Sequence, residues 1–281
     1  MTPIEPTTVP AISRLETAWR PPWLLTAMTQ QGRPHHLEGE NCQDSYRIGG
    51  KGDATWLLVA DGVSSAGCSG RGSAMAVHYV DLYLYQEITA TPASSDLLRK
   101  AFVYARNQIA SHAAEDRRAI NDYATTLLAA LLAGPAISLA RVGDGSVLTL
   151  EAGDVLASRI DCPNTRPSDG IVDLTHRDWV KHFRAEHIRD RSLEGISAVV
   201  LSTDGAEHFF LKEDPTRRID GVPQRVSSSS VPGPFLRAKL KELTPLYIVD
   251  YLHQLLQFTK KDEFDDDVTF VMAAIPPEPP P

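Results

Sequence analysis

The stretch WLLVADGVSS, residues 56–65, combines a short apolar run with a carboxylate and a glycine. The run WLLVA is too short for a helix and is typical of a strand that is buried on both faces. Asp61 follows directly, where such a strand meets solvent, and Gly62 lets the backbone turn sharply or a ligand approach closely. The stretch therefore predicts a central strand that carries an acidic side chain to the edge of a sheet.

Variants of this pattern occur three more times along the chain. Residues 136–143, AISLARVG, lead to Asp144, and residues 196–203, ISAVVLST, lead to Asp204. The order is reversed in the last variant, where the acidic triplet of residues 265–267 precedes the run VTFVMA. Clustered carboxylates repel one another unless they are protonated or bridged by cations, and such oxygen ligands suit Mg²⁺ or Mn²⁺. If these strand ends converge, we expect a site for divalent cations.

The composition is typical of a globular protein of one or two domains. The chain has 281 residues, of which 42% are hydrophobic and 23% charged, and its formal net charge is −8. No basic block occurs, which argues against a nucleic-acid partner, and no apolar run approaches the ~18 residues of a membrane helix. The three cysteines match no zinc-binding spacing. Because the first residues also lack the pattern of a secretion signal, we expect a cytoplasmic protein without a membrane partner.

Hydrophobic periodicity and turn residues predict two packed antiparallel sheets with helices outside them, an α+β fold. The predicted strands cover residues 23–29, 43–48, 56–60, 125–133, 136–142, 146–151, 155–159, 196–203 and 268–275. The predicted helices cover residues 73–88, 95–116, 177–186 and 245–258, and Ser94 or Ser95 is the expected N-cap of the second helix. We interpret residues 125–159 as one antiparallel meander and residues 213–234 as a loop.

Five short motifs carry a resemblance to a known family. They are NCQD at residues 41–44, VADG at 59–62, VGDGS at 142–146, STDG at 202–205 and DDVT at 266–269. Their order and approximate spacing resemble those of the protein phosphatase 2C family, the metal-dependent serine/threonine phosphatases, and above all its compact bacterial branch. The resemblance implies an αββα sandwich over residues 23–275, with a metal site where the central sheets meet. Residues 1–22 would form an N-terminal arm and residues 276–281 a proline-rich tail.

The resemblance also implies a set of metal ligands from separate strand ends: Asp44, Asp61, Gly62, Asp144, Asp204 and Asp266. In the family pattern Asp61 bridges two Mn²⁺ or Mg²⁺ ions and the Gly62 carbonyl binds one of them, while Asp144 helps to hold a third, weaker ion. A water that bridges the two ions would attack phosphoserine or phosphothreonine without a covalent intermediate. The resemblance thus assigns catalysis to Asp61 and Asp204.

Three positions depart from the family pattern. Gln43 stands where the family often has Glu, Gly39 where many members have a phosphate-binding Arg, and Val63 where many have a His that protonates the leaving group. These departures motivate an alternative function, a catalytically weak sandwich that binds a signalling partner. A phosphatase that acts on small metabolites is a third hypothesis.

Several groups could take over the missing contacts. Arg33, His35 or His36, from the predicted loop of residues 30–41, could bind the substrate phosphate. The choice of metal ligand within the acidic triplet 265–267 also stays open. The expected partners are a phosphorylated protein substrate and a cognate serine/threonine kinase, and the chain is expected to be a monomer.

Overall fold

Two packed antiparallel sheets form the body of the protein. The computed structural model describes residues 13–89, 91–152, 155–160, 172–192, 194–206, 211–219, 222–227 and 266–275. Within them the strands are β1 (Ser13–Arg20), β2 (Trp23–Gln30), β3 (Ser45–Lys51), β4 (Ala54–Ala60), β5 (Leu127–Ala133), β6 (Ala136–Val142), β7 (Ser146–Glu151), β8 (Val155–Ser158), β9 (Arg184–Ile188), β10 (Ala198–Ser202), β11 (Leu211–Ile219), β12 (Val222–Ser227) and β13 (Val268–Ala274). The helices are α1 (Arg33–Glu38), α2 (Ser69–Glu87), α3 (Ser95–Glu115) and α4 (Trp179–His182).

Every strand pair of the two sheets is antiparallel, which confirms the predicted fold class. One sheet has six strands in the order β1-β2-β13-β10-β7-β8, and the other has five in the order β3-β4-β5-β6-β9. A separate hairpin joins β11 and β12. The predicted helix of residues 245–258, the proline-rich tail and Asp265 lie outside the described residues.

The strand β4 contributes to two hydrophobic cores, because successive side chains of a strand point to opposite faces. Leu57 and Val59 are fully buried between the two sheets, with Leu201 of β10. Trp56 is fully buried on the other face, where it packs in one cluster with Phe102 of α3. Burial on both faces explains why the sequence of this strand is a continuous apolar run.

The two long helices cover the outer face of the five-stranded sheet. The predicted N-cap of α3 is confirmed, since the Ser94 hydroxyl accepts a hydrogen bond from Leu97 N at 3.2 Å. The helix α2 begins four residues before the predicted start, in a small-residue segment of low helix propensity. A Cβ at Gly72 would collide with the Tyr123 carbonyl oxygen, so the close backbone contact requires a glycine there. None of the described helices combines the length and apolar character that a membrane span requires.

Three predicted segments have a different structure because of long-range pairing. The predicted meander of residues 125–159 is divided, since β5 and β6 belong to one sheet and β7 and β8 to the other. The predicted helix of residues 177–186 is wrong beyond α4, because residues 184–188 pair with β6 as strand β9. Part of the predicted loop of residues 213–234 forms the hairpin of β11 and β12.

Two further segments near the N-terminus are more ordered than the sequence predicts. Residues 13–20 of the predicted arm form the edge strand β1, which pairs with β2 over its whole length. The predicted loop of residues 30–41 contains the short helix α1, which ends at Gly39 in the left-handed conformation, with φ of 71°. This conformation favours glycine, which explains the residue found there.

Candidate metal centre

Five aspartates lie at one end of the sandwich because of where the strands begin and end. In the five-stranded sheet Asp44 precedes β3 and Asp61 follows β4, its antiparallel neighbour. In the six-stranded sheet β10 pairs with β13. Asp204 follows β10, and Asp266 lies two residues before β13. Asp144 is in the turn between β6 and β7, where the chain passes from one sheet to the other. The two sheets therefore both contribute carboxylates to one site.

Three carboxylates of this aspartate cluster are close enough to share a cation. Carboxylate oxygens of Asp61, Asp144 and Asp204 lie within 4.8 Å of one another. Burial raises the pKa of Asp61 well above its ordinary value, and four negative neighbours raise it further. In decreasing order of effect these neighbours are Asp44, Asp204, Asp266 and Asp144. Because divalent cations remove such repulsion and prefer oxygen ligands, this donor set fits Mg²⁺ or Mn²⁺.

Asp44 is the most deeply buried member of the cluster. Its Oδ2 accepts a hydrogen bond from Thr203 Oγ1 at 3.0 Å, whereas its Oδ1 is buried and has no hydrogen-bond donor among the described residues. Burial and the negative charge of Asp267 raise the pKa of Asp44 to about 8. A buried carboxylate oxygen without a donor is costly, and a bound cation would compensate it.

Asp267 has a different environment from its neighbour Asp266. Its Oδ1 accepts a hydrogen bond from Gly32 N at 2.7 Å, and its Oδ2 accepts one from Gln43 N at 2.5 Å. The Nδ1 atom of His35 lies 3.0 Å from the same Oδ2. Burial lowers the pKa of His35, but the hydrogen bond and charge of Asp267 raise it overall. The Asp267 carboxylate is thus occupied by protein donors, which leaves Asp266 as the better ligand candidate of the two.

Asp266 itself is half-buried at the edge of the cluster. Its Oδ1 accepts a hydrogen bond from Asp267 N at 2.8 Å. Burial raises the pKa of Asp266, and the charge of Asp204 contributes in the same direction. The Asp266 carboxylate therefore shares the electrostatic environment of the other cluster members.

Two threonines hold the main chain of Asp61. From the sequence alone, strand propensity is a sufficient explanation for both of them. Thr126 Oγ1 accepts a hydrogen bond from Asp61 N at 3.0 Å, and Thr126 N donates to Asp61 O at 2.8 Å. Thr125 Oγ1 donates to the same carbonyl oxygen at 2.9 Å. These bonds fix the backbone from which the Asp61 carboxylate projects. They form because β4 pairs with β5, a contact that no local pattern reveals.

A second group of threonines joins strands of the six-stranded sheet to one another, and one of its members contacts Asp44 of the other sheet. Thr203 Oγ1, which donates to Asp44, also accepts a hydrogen bond from Thr269 N at 3.0 Å. The hydroxyl groups of Thr269 and Thr29 are 2.6 Å apart. All three threonines are buried, so each hydroxyl has a partner in the protein interior.

Gln43 contacts both sides of the cluster, which explains one departure from the family pattern. Its carbonyl oxygen accepts hydrogen bonds from Gly62 N at 3.2 Å and Ser73 Oγ at 2.5 Å. Its side-chain Oε1 accepts from Ser69 Oγ at 2.7 Å, while its Nε2 donates to Glu40 Oε2 at 3.1 Å. A glutamate at this position would place a second carboxylate against Glu40, whereas the amide accepts and donates at once.

Gly62 is also required by close packing. A Cβ at this position would lie 2.7 Å from the carbonyl carbon of Ser69 and 2.9 Å from Gln43 O. Both contacts are to backbone atoms, which cannot rotate away. The first residue of α2 therefore fixes the turn that follows Asp61.

The candidate phosphate-binding residues lie on or beside α1. Arg33 is exposed in its first turn, His36 is half-buried, and His35 is buried against Asp267. Val63 is half-buried, and its main-chain N–H donates to Ala124 O at 3.0 Å. Phosphate binding by Arg33, His35 or His36 stays a prediction.

An antiparallel sandwich with an aspartate cluster at one end is the arrangement that the five motifs predict. A family model described as Protein phosphatase 2C matches residues 31–243, more than half of the chain. The chain belongs to the protein phosphatase 2C family, as predicted, and with that family it is a serine/threonine phosphatase. A search of curated proteins found no matching sequence.

Several solved structures have a similar fold. A bacterial serine phosphatase is 16% identical, with a TM-score of 0.65, and the match covers 91% of this chain and 98% of that one. The phosphatase Stp1 from Staphylococcus aureus is 18% identical, with a TM-score of 0.58 and coverages of 97% and 99%. The catalytic domain of PstP, solved with 2 manganese ions, is 17% identical, with a TM-score of 0.58 and coverages of 89% and 96%. Identities this low establish the fold alone.

Proposed function

We propose that the aspartate cluster is the catalytic centre of a phosphatase that hydrolyses phosphoserine and phosphothreonine in proteins with Mn²⁺ or Mg²⁺. The observation that carries this proposal is the approach of the Asp61, Asp144 and Asp204 carboxylates to within 4.8 Å of one another. The cations would be held by the aspartate side chains and by the carbonyl oxygen of Gly62. When bound, they supply a Lewis acid that makes water nucleophilic at neutral pH and offsets charge on the phosphoryl oxygens.

The residues of the cluster have distinct proposed roles. Asp61 is the central ligand, because, in addition to burial, the negative charges of all four other aspartates raise the pKa of its carboxyl group. Asp204 and Asp266 bring ligands from the six-stranded sheet, and Asp144 serves a third, weaker ion. The 2 manganese ions of the PstP structure support a pair of principal ions here.

The remaining chain orients these ligands and receives the substrate. The hydrogen bonds of Thr125 and Thr126 hold the Asp61 backbone, so that little reorganisation is needed on cation binding. Asp267 joins α1 to the cluster through Gly32 and His35. Arg33, exposed in the first turn of α1, is the proposed contact for the phosphate. The proposed partners are a phosphorylated protein and the kinase that phosphorylates it.

The test compares ligand variants with a matched exposed aspartate. Asp61→Asn and Asp204→Asn should each lower kcat/KM on a phosphopeptide and on an aryl phosphate with Mn²⁺, on the order of 100-fold or more. Asp96→Asn, a change of the same chemistry on the exposed surface of α3, should have no effect. Turnover that persists in EDTA, or in Asp61→Asn at the unaltered rate, would refute the proposal.

A catalytically weak binding module is the second candidate. Val63 favours it, because the half-buried aliphatic side chain offers no proton to a leaving group. Gln43 and Gly39 do not, since packing and backbone conformation account for both. Calorimetry separates the candidates, because tight Mn²⁺ binding without turnover of any phosphopeptide would favour the binding module.

A further inference from the structure

The helix α1 exposes one face and buries the other. His35 is buried, whereas Arg33 and Leu37 are exposed, and Leu37 has 70% of its surface accessible. No other large hydrophobic side chain in the described part of the chain is as exposed. Arg33 and Leu37 are four residues apart and therefore lie on the same side of the helix. These two side chains define the α1 outer face.

The α1 helix is attached firmly to the aspartate cluster. Gly32, which precedes it, donates its N–H to Asp267 Oδ1 at 2.7 Å, and a Cβ at Gly32 would collide with the backbone of Asp266. His35, in the middle of the helix, contacts the same Asp267 carboxylate at 3.0 Å. Glu40 N donates to His35 O at 2.8 Å and closes the C-terminal end. Gly32 and His35 thus hold α1 against Asp267, the chain neighbour of Asp266.

We propose that the α1 outer face binds the polypeptide segment around the phosphorylated residue of the substrate, an inference that rests on the proposed function. Arg33 is directed to the phosphoryl group, and Leu37 contacts an apolar side chain of the same segment. A single exposed leucine is common on protein surfaces. This leucine differs in its location, one helical turn from Arg33 on a helix that packs against Asp266 and Asp267.

Charge and spacing together identify the occupant. The cluster is acidic, and Arg33 provides a positive charge that complements a phosphoryl dianion next to it. From Arg33 to Leu37 the helix rises roughly 6 Å. An extended peptide covers that distance in about two residues. The preferred substrate therefore carries an apolar side chain two residues from its phosphoserine or phosphothreonine.

The experiment measures kcat/KM with Mn²⁺ for three phosphopeptides that have Leu two residues before, Leu two residues after, or Ser at both of these positions. The unaltered protein should prefer one Leu peptide over the Ser peptide by about three- to tenfold. Leu37→Ser should abolish that preference, because it removes the apolar contact that only a Leu peptide makes. Val103→Ser, a comparable change of an exposed apolar residue on α3, should keep the preference.

A second pair of variants tests the cationic part of the surface. Arg33→Gln should lower kcat/KM for all three peptides and for an aryl phosphate by about tenfold, since the phosphate is common to them. Arg99→Gln, an exposed arginine on α3, is the matched control and should behave like the unaltered protein.

The outcomes distinguish this inference from the proposed function. If Leu37→Ser keeps the peptide preference, or lowers kcat/KM for all peptides equally, the α1 outer face does not bind the substrate segment. If Leu37→Ser instead converts a dimer to a monomer in analytical ultracentrifugation, the face binds a second copy of the chain and the inference is wrong. If the unaltered protein turns over neither peptides nor an aryl phosphate with Mn²⁺, the proposed function itself fails.

Discussion

Removal of the Asp267 carboxylate is the change that best separates the structural role of Asp267 from the proposed metal-ligand role of its neighbour Asp266. Asp267→Ala would leave the N–H groups of Gly32 and Gln43 without their shared acceptor and would remove the carboxylate that lies 3.0 Å from His35 Nδ1. All of these groups surround a side chain that is only 2% exposed, so water cannot replace the acceptor without rearrangement. The variant should therefore lose stability rather than a specific step of catalysis.

The magnitude follows from the donors that share the Asp267 carboxylate. Each of the two buried N–H donors left without a partner costs about 1–3 kcal/mol. Two such donors lose their acceptor, so we expect Asp267→Ala to lower the free energy of unfolding by about 2–6 kcal/mol. Asp267→Asn keeps the shape and one acceptor but points an amide donor at another donor, so its loss of stability should be smaller.

Asp266→Asn is the matched comparison, with the opposite expected behaviour. Burial raises the pKa of Asp266, so folding of the metal-free protein opposes ionisation of this carboxyl group. A neutral side chain should therefore leave the stability of the metal-free protein unchanged or raise it, while Mn²⁺ affinity falls.

Urea unfolding at pH 7 in EDTA gives the stability of each variant, and calorimetry gives its Mn²⁺ affinity. The assignment would be refuted if Asp267→Ala unfolded at the same urea concentration as the unaltered protein. It would also fail if Asp266→Asn showed the loss of stability and Asp267→Ala the loss of metal affinity alone.

Three further changes test the surroundings of the cluster. Gly62→Ala should destabilise the fold by about 1–3 kcal/mol in thermal unfolding, because the new methyl meets backbone 2.7 Å away. Gly67→Ala, whose Cβ would have no neighbour closer than 3.8 Å, is the control. Thr126→Val removes the acceptor of the Asp61 N–H and should cost about 1–3 kcal/mol. It should also lower kcat, whereas Thr126→Ser should retain most activity. The pKa of an aspartate is about 4 in the unfolded chain, whereas the pKa of Asp44 in the folded protein is raised to about 8. Because folding opposes ionisation of Asp44, metal-free protein should lose stability as the pH rises from about 4 to about 8. Mn²⁺ at about 100 times its dissociation constant should add ~2.7 kcal/mol, and melting curves across this pH range with and without Mn²⁺ check both expectations.

Local sequence patterns were sufficient to predict the elements that depend on residues close together in the chain. The apolar run of β4 indicates burial on both faces, and Ser94 indicates the start of α3. The strand-end aspartates were identifiable for the same reason, since an acidic residue directly after a buried strand is a local feature. The order of these aspartates along the chain then matched the motifs of a known family.

Local patterns failed where a distant partner determines the conformation. Residues 184–188 include part of a predicted helix, but they form strand β9 because they pair with the edge of β6. The turn at Asp144 resembles an ordinary hairpin in sequence, although it carries the chain from one sheet to the other. Pairing of this kind depends on which strand edge is available, and that is a property of the whole fold.

The sequence by itself determined that acidic residues end buried strands and that this pattern belongs to a phosphatase family. Only the tertiary structure distinguished Asp266 from Asp267, because the donors that occupy Asp267 come from Gly32 and Gln43, 235 and 224 residues away. The same holds for Thr126, 65 residues from the Asp61 N–H whose hydrogen bond it accepts. Hydrogen-bond partners at such separations are brought together by sheet packing, so neighbouring residues in the chain carry no record of them.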